Sequence, residues 1–162
     1  MSFHVPPSPF ATFSSSQTQA ISNKANAQAV TYNITSVNKG ISLVGGTKIT
    51  LPQAGNYALS FSAIGHNSGS SNTRWVNLFL KKNNVTVDNS STIVTLSKQV
   101  PQTIVATFDI ACTTAGDYYE LFFAGENTDC EILATPAQAA VPLTSPAMPA
   151  CPSIIVAVWQ IN

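Results

Sequence analysis

The feature that most constrains the fold is a strict alternation of side-chain size that follows two similar glycine turns. It occurs in "LPQAGNYALSFSAIG" (51–65) and in "CTTAGDYYELFFAGE" (112–126). A period of two with bulky residues on one side indicates a half-buried β-strand, entered through a turn that delivers a Tyr into the core. The side chains on the opposite face are small in the first stretch and bulky in the second. We therefore predict that the two strands belong to different sheets.

The same period recurs along the chain, and no segment has a helical one. Strands are predicted in "RWVNLFLKK" (74–82), "QTIVATFDIAC" (102–112) and "SIIVAVWQI" (153–161), with Gly and Asn turns between them. About eight to ten short antiparallel strands of this kind are typical of an all-β sandwich or jelly roll. The sequence therefore predicts one all-β domain.

Two segments rich in proline lack this alternation. Residues 1–25 are predicted to form an extended N-terminal arm, which leaves 26–162 as the domain. Residues 135–152 carry five of the ten prolines and are predicted to be a long loop rather than a strand. Apolar side chains in both segments are expected to contact another surface: Phe3, Phe10, Phe13, Pro142 and Met148.

Charge is scarce, and this excludes several partners. Charged residues are 9% of the chain, against about 25% in an average domain, and seven basic residues balance seven acidic ones. Nucleic-acid binding needs a clustered basic face, so no nucleic acid is expected. No apolar run is long enough to span a membrane, and the N-terminus does not resemble a secretory signal. We expect a neutral, polar protein that is not secreted through a signal peptide.

Catalysis, metals and cofactors are not expected. The only histidines are His4 and His66, and neither suggests an oriented base for a catalytic triad. The acidic cluster "GENTDCE" (125–131) is interpreted as a solvated loop, although glycoside hydrolysis or Ca²⁺ binding is the alternative. Three widely spaced cysteines are interpreted as free, mostly buried thiols, with a Cys112–Cys130 bridge left open.

Three predicted strands have apolar residues on both faces, although a strand in a sandwich has one core face. The surplus face of such a strand must be covered by a loop, the arm or another subunit. Three such strands in a domain of this size favour association. The residues on these surplus faces are Trp75, Phe79, Tyr118, Phe122, Ile155 and Trp159.

Four motifs in order resemble the C1q/TNF-like jelly-roll family over residues 29–162. They are "GISLVGGTKITLPQAGNYALSFSA", "WVNLFLKKNNVTV", "IVATFDIACTTAGDYYELFF" and the closing "SIIVAVWQI". The chain looks closest to small C1q-like virion proteins of bacteriophages and other large DNA viruses. The resemblance implies a homotrimeric C1q/TNF-like jelly roll that decorates a capsid, forms a head fibre or caps a tail fibre, assembled in the host cytoplasm.

The resemblance also implies roles for particular residues. One sheet faces the three-fold axis, with Ala58, Ser60 and Ser62 on the axial side and Ile155, Ala157 and Trp159 on the neighbouring closing strand. The phase of that closing strand stays open. Trp75, Phe79, Tyr118 and Phe122 are expected to contact other capsid or tail proteins, as are the arm and the proline-rich loop.

Three other functions are alternatives to this one. A knob that recognises a host-surface glycan or receptor would use the Asn- and Ser-rich loops 65–73 and 83–91. A polysaccharide-active enzyme would use Glu126 and Asp129, and is disfavoured because no clear carboxylate pair is present. A signalling ligand of the C1q/TNF type is disfavoured because the sequence shows no signal peptide.

Overall fold

The computed structural model describes residues 8–140 and 146–161, and the secondary structure within these ranges is β-strand without a helix. Every pair of these strands is antiparallel. In chain order the strands are β1 (Phe10–Ser15), β2 (Gln19–Ala20), β3 (Gln28–Ala29), β4 (Ile34–Lys39), β5 (Ser42–Val44), β6 (Lys48–Thr50), β7 (Gly55–Asn67), β8 (Thr73–Lys82), β9 (Val85–Thr86), β10 (Thr92–Ser97), β11 (Gln102–Cys112), β12 (Tyr118–Gly125), β13 (Cys130–Ile132) and β14 (Ile154–Ile161).

The first sheet is built around β7, the longest described strand. The order across it is β4-β1-β14-β7-β11, and β13 with β2 pairs the far end of β7 beyond β14. The closing strand β14 therefore lies beside the central strand, as the sequence predicts. Because β13 pairs residues 65–67, β7 runs on to Asn67, and the loop predicted to begin at residue 65 begins later.

The second sheet has the order β5-β6-β12-β8-β10, with β3 added on β12 and β9 added on β8. The two strands with glycine entries, β7 and β12, thus lie in different sheets, and that prediction is confirmed. Gly55 (φ 150°) and Gly116 (φ 95°) both occupy the region that favours glycine. The all-β sandwich predicted from the alternation is also confirmed.

The core lies between the two sheets and takes the bulky phase of each strand. Tyr57, Leu59 and Phe61 of β7 are buried against the same apolar cluster as Leu78 and Phe123 of the second sheet. Full burial of side chains of this size is worth about 1.5–3 kcal/mol each relative to exposure. The alternation therefore fixes which face of each sheet is left for other contacts.

The predicted N-terminal arm requires a correction. Residues 10–15 form β1, which lies between β14 and β4 inside the first sheet. Phe13 is fully buried and packs near Tyr32, with ring centroids 6.4 Å apart. Phe13 therefore belongs to the core of its own domain and is not available for contact with another protein. Phe10 is 40% exposed, and Phe3 lies outside the described residues.

The described part of the proline-rich segment contains no strand, as predicted, although two isolated bridges order it. Backbone hydrogen bonds join Thr135 to Cys151 and Gln138 to Met148 in both directions, at 2.9–3.0 Å. These bridges hold residues 135–138 antiparallel to residues 148–151, between the end of β13 and the start of β14. The side chain of Met148 is exposed, whereas Pro142 lies outside the described residues.

Candidate assembly surface

The outward face of the first sheet is a set of cross-strand rows from β14, β7 and β11. Each row places a β7 residue between a β14 residue and a β11 residue, as fixed by the register of both strand pairs. The rows are Ile155–Ser62–Val105, Ala157–Ser60–Thr107, Trp159–Ala58–Asp109 and Ile161–Asn56–Ala111.

The side chains in these rows are small in the middle, on β7, and larger on the flanking strands β14 and β11. The central β7 positions carry Ala58, Ser60 and Ser62, and the hydroxyl of Thr107 donates to that of Ser60 at 3.0 Å. The flanking strands carry Trp159 and Val105, which are 41% and 63% exposed. Small residues at the centre permit close approach of another backbone, while the flanking side chains offer apolar area.

The exposed apolar residues are concentrated on this face. Of the thirteen large hydrophobic side chains exposed in the described ranges, seven lie on it. Scattered single hydrophobics are normal on a surface, but a contiguous group marks an interaction site. The seven are Phe10, Ile34, Val37, Val105, Ile155, Trp159 and Ile161.

The structure brings the six residues of the predicted axial set onto this one face. Ala58, Ser60 and Ser62 pair directly with Trp159, Ala157 and Ile155, so the phase of the closing strand is now fixed. The opposite phase of β14 is buried in the core. Whether this face meets other copies of the chain stays a prediction.

Sequence reasoning gave no role to four of the seven exposed apolar residues of the face: Ile34, Val37, Val105 and Ile161. Val105 was assigned no role, although it is out of phase with the core residues of β11 and was identifiable for that reason. Ile34 and Val37 lie on β4, which pairs with β1 with a register shift between Thr12 and Phe13. Their common face arises from this bulge, which the local sequence does not indicate.

The acidic cluster beside this face is engaged in ion pairs. Glu131 lies 2.7 Å from Nδ1 of His66, its partner in the β7–β13 register. Asp129 and Glu126 both pair with the guanidinium of Arg74, at 3.2 and 3.4 Å. Within the described ranges no three His, Cys, Asp or Glu side chains form a group that could hold a metal ion.

The predicted contact residues of the second sheet also share a single outward face. Phe79 and Phe122 are register partners and stack with ring centroids 5.9 Å apart. The ammonium groups of Lys81 and Lys48 lie over the rings of Phe122 and Tyr118, at 4.0 and 4.7 Å.

Cation–π contacts of this kind cover aromatic surface within the same chain. Phe79, Tyr118 and Phe122 are accordingly partly buried, whereas Trp75 is 41% exposed. The second sheet therefore leaves less apolar surface uncovered than the first.

No helix in the described part of the chain has the length and apolar character that a membrane span requires.

Two antiparallel layers, with the closing strand beside the central strand, define a C1q/TNF-like jelly-roll β-sandwich. The chain is similar to the globular domain of zebrafish complement 1qA protein, with 12% identity, 96% of this chain and 98% of that chain covered, and a TM-score of 0.51. It is also similar to murine APRIL, with 6% identity, 96% and 100% coverage, and a TM-score of 0.55.

At these identities the likeness concerns the fold alone. It confirms the C1q/TNF-like jelly roll predicted from the motifs. No family model matches the sequence, and no curated protein matches it.

Proposed function

We propose that this chain is a structural protein of a virus particle, a homotrimer that decorates a capsid or forms a head fibre or knob. The proposed self-assembly is supported by the outward face of the first sheet, which has small residues at its centre and apolar residues beside them. A surface of this kind is unfavourable in water and is stabilised by burial against another copy.

Electrostatics support contact between identical copies. The four cross-strand rows contain one charged residue, Asp109, and the whole chain has a formal net charge of zero. Identical copies therefore approach without strong mutual repulsion. Heterologous partners would be other capsid or tail proteins, which would meet Trp75 on the second sheet or Met148 in the proline-rich segment.

The particle role is supported by the order of the motifs, which resembles C1q-like virion proteins, and by the scarcity of charge. Two observations test it. Neighbouring genes that encode capsid, portal or tail proteins are expected, and the chain should be found by mass spectrometry in purified particles. A genome without any virion gene near this one, together with absence from purified particles, would contradict the role.

The self-assembly is tested separately by native mass spectrometry of the purified chain. The expected species has three times the 17.1 kDa mass of one chain.

A second candidate function, recognition of a host-surface glycan, is favoured by a polar cleft on the second sheet. This cleft lies on the opposite layer from the assembly surface, so both functions are compatible.

A further inference from the structure

A cleft opens on the outward face of the second sheet, beside β8 and the turn that leads into β10. Its volume is about 340 Å³, near the lower end of the ~300–1,000 Å³ range of small-molecule sites. Most of its lining side chains are polar and uncharged. Those that can reach a ligand are Asn77, Phe79, Thr86, Asp88, Asn89 and Ser91.

The turn that forms one wall of the cleft is held in place by a buried serine. Ser90 is 2% exposed, and its hydroxyl accepts a hydrogen bond from the backbone N–H of Leu80 at 2.9 Å. The same hydroxyl donates to the carbonyl of Val87 at 2.7 Å. The wall is therefore built into the edge of β8, and little of its order would have to be created on binding.

The floor of the cleft carries a fixed aromatic ring. Phe79 stacks on Phe122 with an interplanar angle of 28°, and the same Phe79 ring lines the cleft. An aromatic ring presents a negative face to the weakly positive C–H groups of a ligand. A pyranose ring has such a C–H face.

The polar groups around this ring can bind the hydroxyl groups of a ligand, which both donate and accept hydrogen bonds. The Ser91 hydroxyl donates to Oδ1 of Asn77 at 2.8 Å, which leaves the N–H groups of that amide for a ligand. Asp88 and Asn89 are exposed at the rim, where they provide a carboxylate and a second amide.

The charge of the lining selects against anions. Asp88 is the single ionisable side chain among the lining residues, and none of them is Lys, Arg or His. With no cation among the lining residues, the Asp88 carboxylate repels phosphate, sulfate or carboxylate groups of a ligand. From the fixed ring, the amides and this charge, we infer that the cleft binds a neutral saccharide, which rests on the glycan-recognition part of the proposed function.

The test is saturation-transfer NMR with the methyl glycosides of glucose, galactose, mannose and N-acetylglucosamine, each at about 10 mM, a concentration suited to millimolar affinity. At least one glycoside is expected to give a transfer signal. Asp88→Ala should weaken that binding about tenfold, since it removes one charge-assisted hydrogen bond. Phe79→Leu should weaken it similarly while it preserves an apolar side chain, and melting temperature checks its fold.

Ser70→Ala is the matched control, because Ser70 is exposed in the other Asn- and Ser-rich loop. Its binding should equal that of the unmodified chain. The inference is overturned if none of the four glycosides gives a signal, if Asp88→Ala binds as the unmodified chain does, or if Ser70→Ala is the variant that loses binding. Failure here is distinct from failure of self-assembly, which native mass spectrometry reports independently.

Discussion

Asp117, the residue that follows the second glycine turn, holds that turn together through its carboxylate. It accepts hydrogen bonds from the Asn83 side chain at 2.8 Å and from the backbone N–H of Thr113 at 2.9 Å, and lies 2.9 Å from Nζ of Lys82. The bond from Asn83, then those from Lys82 and Thr113, hold the pKa of Asp117 well below its usual range. Through these contacts one carboxylate joins the turn before β12 to the end of β8 and the turn after it.

The lowered pKa of Asp117 predicts a particular dependence of stability on pH. Because the folded pKa lies below the unfolded value of about 3.9, the ionised carboxylate stabilises the fold above that pH. This stabilisation is lost as the pH falls toward the folded pKa. Asp117→Asn should therefore melt below the unmodified chain at about pH 7, and the difference should shrink below about pH 4.

The matched control for this prediction is Asp88→Asn, because Asp88 is exposed on the turn before β10. Its melting temperature should follow that of the unmodified chain at every pH. A difference between Asp117→Asn and the unmodified chain that stays constant from neutral to acid pH would contradict the role given to ionisation.

The three cysteines differ in environment. Their positions answer the question, left open by the sequence, of whether Cys112 and Cys130 form a disulfide. Cys112 pairs with Gly55 and Cys130 pairs with Asn67, at opposite ends of β7. Twelve residue steps of about 3.3 Å separate those ends, far beyond the reach of a disulfide. All three thiols are free, Cys112 and Cys130 are buried, and Cys151 is exposed.

Thiol labelling should separate these environments. Burial raises the pKa of the Cys112 and Cys130 thiols, which keeps them in the unreactive protonated form. We expect one thiol, that of Cys151, to react rapidly with a maleimide in the folded chain, and all three to react in denaturant. Reaction of a single thiol in denaturant without reductant would reveal a bridge and contradict the structure.

Among the elements, β1 is the one whose role differs most from the expectation. Its residues bond into the first sheet on both sides, and Phe13 fills the core. Phe13→Ala is expected to lower the free energy of unfolding by about 3–5 kcal/mol, the usual cost of deleting a buried Phe. Chemical denaturation measures this loss directly.

Phe10→Ala provides the comparison, since it deletes the same side chain from the same strand at a 40% exposed position. The free energy of unfolding should fall by less than half as much in Phe10→Ala as in Phe13→Ala. Equal and small losses for the two variants would mean that the segment is an arm outside the domain, as the sequence suggested.

The elements that could be predicted are those whose own alternation marks one buried face. β7 and β12 are of this kind, and their side-chain phases followed from local sequence. β14 is apolar on both faces, so its phase needed the β7–β14 register. β1 could not be predicted, because "FATFSS" mixes small and bulky residues across a bulge and is ordered by β4 and β14, distant in sequence. The proline-rich segment was predicted as a loop, but its two isolated bridges were not, because they depend on four separate non-proline residues: Thr135, Gln138, Met148 and Cys151.

At the scale of the whole molecule, the two layers present different outward surfaces. The first sheet leaves an uncovered apolar face with a low centre, while the second covers much of its aromatic surface with Lys48 and Lys81. The six residues of the proposed interface could be named from the sequence resemblance, yet their common face needed the β7–β14 register. Assembly through the first sheet leaves the cleft on the second sheet open in every copy, which would multiply a weak affinity for saccharide.

In the proposed trimer, the outward face of the first sheet joins three copies of the chain. Ala157 lies near the middle of that face, opposite Ser60, so Ala157→Arg would place a charge and a long side chain inside the interface. Thr95→Arg is the control, because Thr95 is exposed on β10 of the second sheet.

Sedimentation velocity at micromolar concentration gives the most direct test. The unmodified chain and Thr95→Arg are expected to sediment with three times the 17.1 kDa mass of one chain, and Ala157→Arg as a folded monomer. A monomeric unmodified chain, or an Ala157→Arg variant that remains a trimer, would contradict assembly through this face.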